Sequence, residues 1–164
     1  MQARINNPAM AVPGVMEALI ALSSAIKGRV ASRTLDLVYL RVSQINGCSV
    51  CVELHARDLK NTGETDERMF AVGAWRESPY FSDAERAALA LAEASSRMSD
   101  RPDPVSDEIW DEAARYYDEP ALAALVVGIA TINTWNRLNV TTRQIAGAWT
   151  AFATSGEAEP AGVA

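Results

Sequence analysis

Apolar residues recur along this chain at intervals of three and four, and no convincing stretch alternates with period two. "PGVMEALIALSSAIKGR" sets Val15, Leu19, Leu22 and Ile26 at near-helical spacing, with Pro13 suited to a first helical turn. "SRTLDLVYLRVSQIN" predicts a second helix, with Ser32 as N-cap and Leu35, Val38, Val42 and Ile45 along one stripe. A third helix should start at "GCSVC" and stop near Gly63, a C-terminal capping glycine. Thr65 would cap a short helix from Asp66 to about Trp75. Ser82 and Glu85 make a capping-box pattern ahead of an alanine-rich helix. Pro102 and Pro104 break the chain, Ser106 could cap "DEIWDEAARYY", and a long apolar helix should run from about 119 to 140. The fold class this predicts is all-α.

At 164 residues the chain fits one domain, placed at residues 1–153. The closing "TSGEAEPAGVA", residues 154–164, reads as a loose tail. A core of this size needs no staple to fold. The net charge of −6 argues against nucleic acid as a partner, because phosphate binding needs clustered Lys and Arg. No continuous apolar run reaches the ~18 residues of a membrane span, the longest being "ALAALVVGIATI". The N-terminus "MQARINNPAM" lacks the pattern of a secretory signal. No membrane association and a cytoplasmic location are therefore expected, in a compartment where ordinary thiols stay reduced.

That location sharpens the interest of "INGCSVCVELHARDLK", which holds both cysteines and the only histidine. On a helix, Cys48, Cys51 and His55 fall within an arc of about 60°. An i,i+3 pair has Cα atoms ~5 Å apart, within disulfide range. The preceding Asn46-Gly47 is a turn signal, so Cys48 should lie in or near the first helical turn, where free N–H groups favour a thiolate. His55, one turn beyond Cys51, can take a thiol proton or stabilise the anion. The residues alone leave three readings open: a redox dithiol, two small buried hydrophobes, or a zinc site short of ligands. A thioredoxin-like motif fits poorly, for no strand precedes it.

"LDLVYLRVSQINGCSVCVELHARDLK" resembles the core motif of the alkylhydroperoxidase AhpD-like group in the carboxymuconolactone decarboxylase superfamily. "IATINTWNRLNVTTR" is similar to a segment those proteins carry near their C-terminal end. The resemblance implies an AhpD-like helical bundle, assembled as a trimer or hexamer. It also implies hydroperoxide reduction by a Cys48–Cys51 dithiol–disulfide cycle, with an external dithiol as reductant and no metal or cofactor. The family's acid, usually Glu, falls at Asp36, and would serve a proton relay with His55. Its shorter side chain implies a water-mediated or broken contact. Some peroxidases of the group carry a second histidine where this chain has Val50, so the relay implied is a reduced one. Cys51, with His55 one turn away, is the candidate attacking thiol and Cys48 the resolving one, although proximity to the helix N-terminus argues the reverse. Glu53 and Arg57 should form an exposed i,i+4 pair. Trp135, Asn136 and Arg137 are expected in core or oligomer packing, with a reach into a neighbouring subunit's pocket as the alternative. The rival functions are a non-catalytic redox-sensing oligomer and a small decarboxylase.

Overall fold

A computed structural model describes residues 2–100 and 102–147; the tail expected at 154–164 lies outside them. The described residues contain eight α-helices and no strand. The helices are α1 (Pro8–Ala11), α2 (Val15–Ala25), α3 (Ser32–Asn46), α4 (Ser49–Asn61), α5 (Asp66–Ala71), α6 (Asp83–Ser96), α7 (Asp107–Ala114) and α8 (Glu119–Thr142). A 3₁₀ turn over Val72–Ala74 carries α5 on towards Trp75.

Helix α3 is the centre of the bundle, packed against α4, α6 and α8. It therefore buries far more than the one predicted stripe. Leu37, Tyr39 and Leu40 are buried along with Leu35, Val38 and Val42, whereas Ile45 is only half-buried. Helix α8 is the other central element: Leu122, Leu125, Ile129, Ile132 and Trp135 are all buried. By length and composition α8 could cross a bilayer, but its buried residues belong to the bundle. Burial against neighbouring helices, rather than propensity, is what stabilises elements of this kind.

Several local expectations need correcting. The N-cap of α3 is Ala31, and Ser32 is already helical and makes no capping bond. Pro13 precedes Gly14, whose left-handed backbone (φ 84°) starts α2, so the ring lies outside the helix. The proline that opens a helix is Pro8, in the unforeseen α1, where Asn7 caps by accepting from the Ala9 N–H. The inward face of α2 passes through Ser23, which donates to the Leu19 carbonyl, while Leu22 points outward. Ser106 does stand at the N-cap of α7, but its hydroxyl makes no capping bond. The Thr65 cap and the Ser82–Glu85 capping box are present.

One buried charge ties the bundle across its width. Glu93 of α6 takes hydrogen bonds from Arg41 of α3 (2.6 Å), from Trp75 Nε1 (3.2 Å) and from Arg76. Burial raises its pKa, and the two guanidiniums and the indole outweigh that, leaving the carboxylate below its ordinary range.

A buried disulfide at the start of helix α4

Gly47 makes the site possible. Its φ of 68° ends α3 in the left-handed region, which a side chain would resist. The Cys48 N–H then reaches the Ser43 carbonyl (3.0 Å) and the Gly47 N–H the Gln44 carbonyl (3.3 Å), the paired bonds of a Schellman turn. Cys48 is at once the last residue of that turn and the N-cap of α4, with extended backbone. Its Sγ accepts from the Cys51 N–H at 3.3 Å. Cys48 and Cys51 are joined as a disulfide, with Cα atoms 5.4 Å apart. Both are buried, at 1% and 3% exposure.

Two openings reach this disulfide from different sides. A pocket of about 320 Å³ meets Cys48 and is lined by Gln2, Ser49, Asn139, Arg143 and Gln144. A cleft of only about 20 Å³ meets Cys51 and His55, walled by Val50, Leu54, Ile132 and Trp135. The first is the roomier and the more polar of the two. The second is apolar and holds little more than one small group.

His55 is buried (1% exposed), and neither ring nitrogen has a hydrogen-bond partner among the described residues. Its ring packs on Tyr39 at 5.1 Å between centroids. The nearest acid oxygen is Asp58 Oδ2, 3.9 Å from Nδ1 and beyond hydrogen-bond range. Burial pushes the His55 pKa down to about 4, so the imidazole is neutral at pH 7, with a lone pair to accept a proton. Asp36 is half-buried; desolvation first, then the charge of Asp58, pushes its pKa up to about 6. Tyr39 rises to about 12 through burial and the charge of Asp36. Tyr39 thus feels the Asp36 charge and packs on the His55 ring, and no hydrogen bond joins Asp36 to His55. Asp36 instead borders a separate cavity of about 90 Å³ with Ser23, Lys27 and Tyr39.

The other residues singled out by sequence separate by role. Glu53 and Arg57 pair at 2.6 Å on the rim of the Cys51 cleft. Trp135 forms part of its wall. Asn136 is fully buried between helices, donating to Ser43 Oγ (3.1 Å) and accepting from Asn46 Nδ2 (2.9 Å). Arg137 turns away and donates to the Asn133 carbonyl. Among the described residues no three His, Cys, Asp or Glu side chains converge as metal ligands.

Residues 13–94, half of the chain, match the carboxymuconolactone decarboxylase family. The chain belongs to that family. Two uncharacterised bacterial proteins are similar to it. YdfG of Bacillus subtilis (strain 168) is 37% identical over 107 residues, 65% of this chain and 71% of its own. YnjA of Escherichia coli (strain K12) is 35% identical over 104 residues, 63% of this chain and 56% of its own. Among solved structures, one is a protein of unknown function from Agrobacterium tumefaciens, suggested to be the antioxidant defence protein AhpD. It superposes with a TM-score of 0.82 at 29% identity, covering 88% of this chain and 98% of the other. Another is the debrominase Bmp8, whose cysteine-to-alanine variant in complex with 2,3,4-tribromopyrrole gives a TM-score of 0.71 at 28% identity, over 91% of this chain and 77% of the other. The AhpD-like resemblance read from the sequence thus holds for family and fold.

Within the family frame, sequence reasoning passed over Asn139 and Asn7. Asn139 Nδ2 lies 3.4 Å from Cys51 Sγ, and Asn7 Nδ2 donates to Asn139 Oδ1 at 3.2 Å. A signal was there to read. Asn133, Asn136 and Asn139 recur every three residues in a helix whose first half is apolar, and a buried amide demands partners.

Proposed function

We propose that this protein is a dithiol peroxidase that reduces organic hydroperoxides. The observation that supports it best is the Cys48–Cys51 disulfide at the N-terminus of α4, with a neutral, unpartnered His55 one turn along. In the reduced protein His55 takes the Cys51 proton, and the thiolate attacks the terminal peroxide oxygen. The O–O bond breaks, an alcohol leaves with the proton from His55, and Cys51 becomes a sulfenic acid. The Cys48 thiol condenses with it, releasing water and forming the disulfide. An external dithiol restores the pair by exchange, becoming a disulfide itself.

The two openings suit a division of labour. The apolar cleft at Cys51 has room for a hydroperoxide head group, and the organic tail would extend out of its mouth. The wider pocket at Cys48 suits the reductant, which then attacks Cys48 and expels Cys51 as the leaving thiolate. The reductant belongs to the thiol pool of the cytoplasm, and the cycle uses no metal or organic cofactor. Asp36 acts on this centre only through Tyr39 and the local field.

Steady-state consumption of cumene hydroperoxide with dithiothreitol tests the reading. Wild type should turn over. Cys51→Ser should not, and pre-reduced Cys48→Ser, freed of dithiothreitol, should consume one equivalent and stop at a sulfenic acid that dimedone traps. Sustained turnover by Cys51→Ser would overturn it.

The likeness to Bmp8 favours a second reading, in which the same dithiol reduces a carbon–bromine bond. Dithiol and aryl bromide would give disulfide, the hydrogen-substituted arene and hydrogen bromide. Bromide release from a bromopyrrole, matched to loss of thiols, would support it over peroxide reduction.

A further inference from the structure

A chain of three hydrogen bonds ends on Cys51. The Ala9 backbone N–H, which can only donate, bonds Asn7 Oδ1 at 2.9 Å. That fixes which end of the Asn7 amide is oxygen, so its Nδ2 is the end that meets Asn139 Oδ1 at 3.2 Å. The Asn139 amide is fixed in turn, and its Nδ2 must face Cys51 Sγ, 3.4 Å away. Each amide orientation follows from a backbone donor, so no assignment of nitrogen against oxygen is left free. Both asparagines are buried, at 5% exposure.

We propose that Asn139 is a catalytic residue, donating a hydrogen bond to the Cys51 thiolate, and that Asn7 is the positioning residue that locks it in the donor orientation. A disulfide sulfur or a thiol is a weak acceptor and a thiolate a strong one, so the bond gains strength when Cys51 carries charge. The same donor would serve Cys51 as attacking group towards peroxide and as leaving group towards the reductant. It acts beside the other polar groups around Cys51: Cys48, Glu53, His55 and Arg57 along α4, and Arg143 past the end of α8. None of these donates to Cys51 Sγ in the structure described. The inference rests on Cys51 being the thiolate of the proposed cycle.

The test is the pKa of the Cys51 thiol, read from the pH dependence of iodoacetamide alkylation in full-length reduced protein carrying Cys48→Ser. That background leaves a single thiol, and serine preserves the cap of α4. Asn139→Leu should raise the pKa by about one unit or more, the usual worth of a hydrogen bond to a charged group. Asn139→Asp, of the same shape, should raise it further. Asn7→Ser keeps a cap for α1 but is too short to reach Asn139, and should shift the pKa in the same direction by less. A purely structural pair of amides would lower thermal stability and leave the thiol pKa in place. An unchanged pKa in either folded Asn139 variant would overturn the donor, and an unchanged pKa in Asn7→Ser would overturn the lock. No peroxide enters this measurement, so its result and that of the turnover assay are independent.

Discussion

At the residue scale, His55 and Asp36 are both driven towards their neutral forms, and their effects on stability oppose each other. With the His55 pKa at about 4 against an ordinary 6.5, the unfolded chain binds the extra proton between those values. Stability from this group is therefore complete above pH 6.5 and is lost as pH falls towards 4, by about 3 kcal/mol. Asp36, raised from 3.8 to about 6, behaves the other way. The folded protein holds its proton more tightly, so stability rises as pH falls through 6 towards 4. Asp36→Asn removes a carboxylate that is disfavoured when charged. Its melting temperature should exceed wild type's at pH 7 and lose that advantage by pH 4, as differential scanning calorimetry across that range will show. Because no bond joins Asp36 to His55, the same variant should slow the thiol's reaction with peroxide by less than about tenfold. His55→Gln, which removes the proton acceptor, should cost roughly 10²-fold or more in stopped-flow measurements.

At the scale of elements, α8 reaches the site through a glycine. A Cβ on Gly128 would stand 3.0 Å from Tyr39 Oη, 3.3 Å from Tyr39 Cε1 and 3.3 Å from Ile26 Cδ1. Alanine there gains helix propensity worth about 1 kcal/mol but overpacks a rigid buried ring, typically at about 1–3 kcal/mol. Gly128→Ala should therefore be less stable by about 1 kcal/mol in urea unfolding, and the displaced Tyr39 should disturb His55. The α3–α4 junction was legible in the sequence because Asn46-Gly47 and the Cys-x-x-Cys-x-x-x-His spacing are local patterns. So were the capping box at Ser82 and the long apolar run that became α8. The buried face of α2 was not, since Leu22 and Ser23 differ by one position and only packing decides which turns inward. The lack of a direct Asp36–His55 hydrogen bond was foreshadowed by the shorter acid, but the packing of Tyr39 on the His55 ring was not, because it depends on how α3 and α4 cross. Asn7 lies 132 residues from Asn139, and no local spacing could have paired them.

For the whole molecule, the remaining exposed face of α8 matters. Ala123, Val126, Ala130 and Thr134 form a stripe with an apolar first half. A second copy covering that stripe would bury it in a closed assembly, and the AhpD-like resemblance implies a trimer or hexamer as its form. Light scattering with gel filtration at low micromolar concentration should give three or six times the single-chain 17.7 kDa, and Val126→Glu should shift the mass towards one chain. The chemistry that the assembly would carry is open to a more direct measurement. Anaerobically reduced protein is mixed with one equivalent of cumene hydroperoxide, and thiols and alcohol are counted together. The dithiol peroxidase account predicts that both cysteines of each chain are lost within the protein as one alcohol is formed, with a disulfide between Cys48 and Cys51. Thiols that persist while the hydroperoxide stays intact would contradict it.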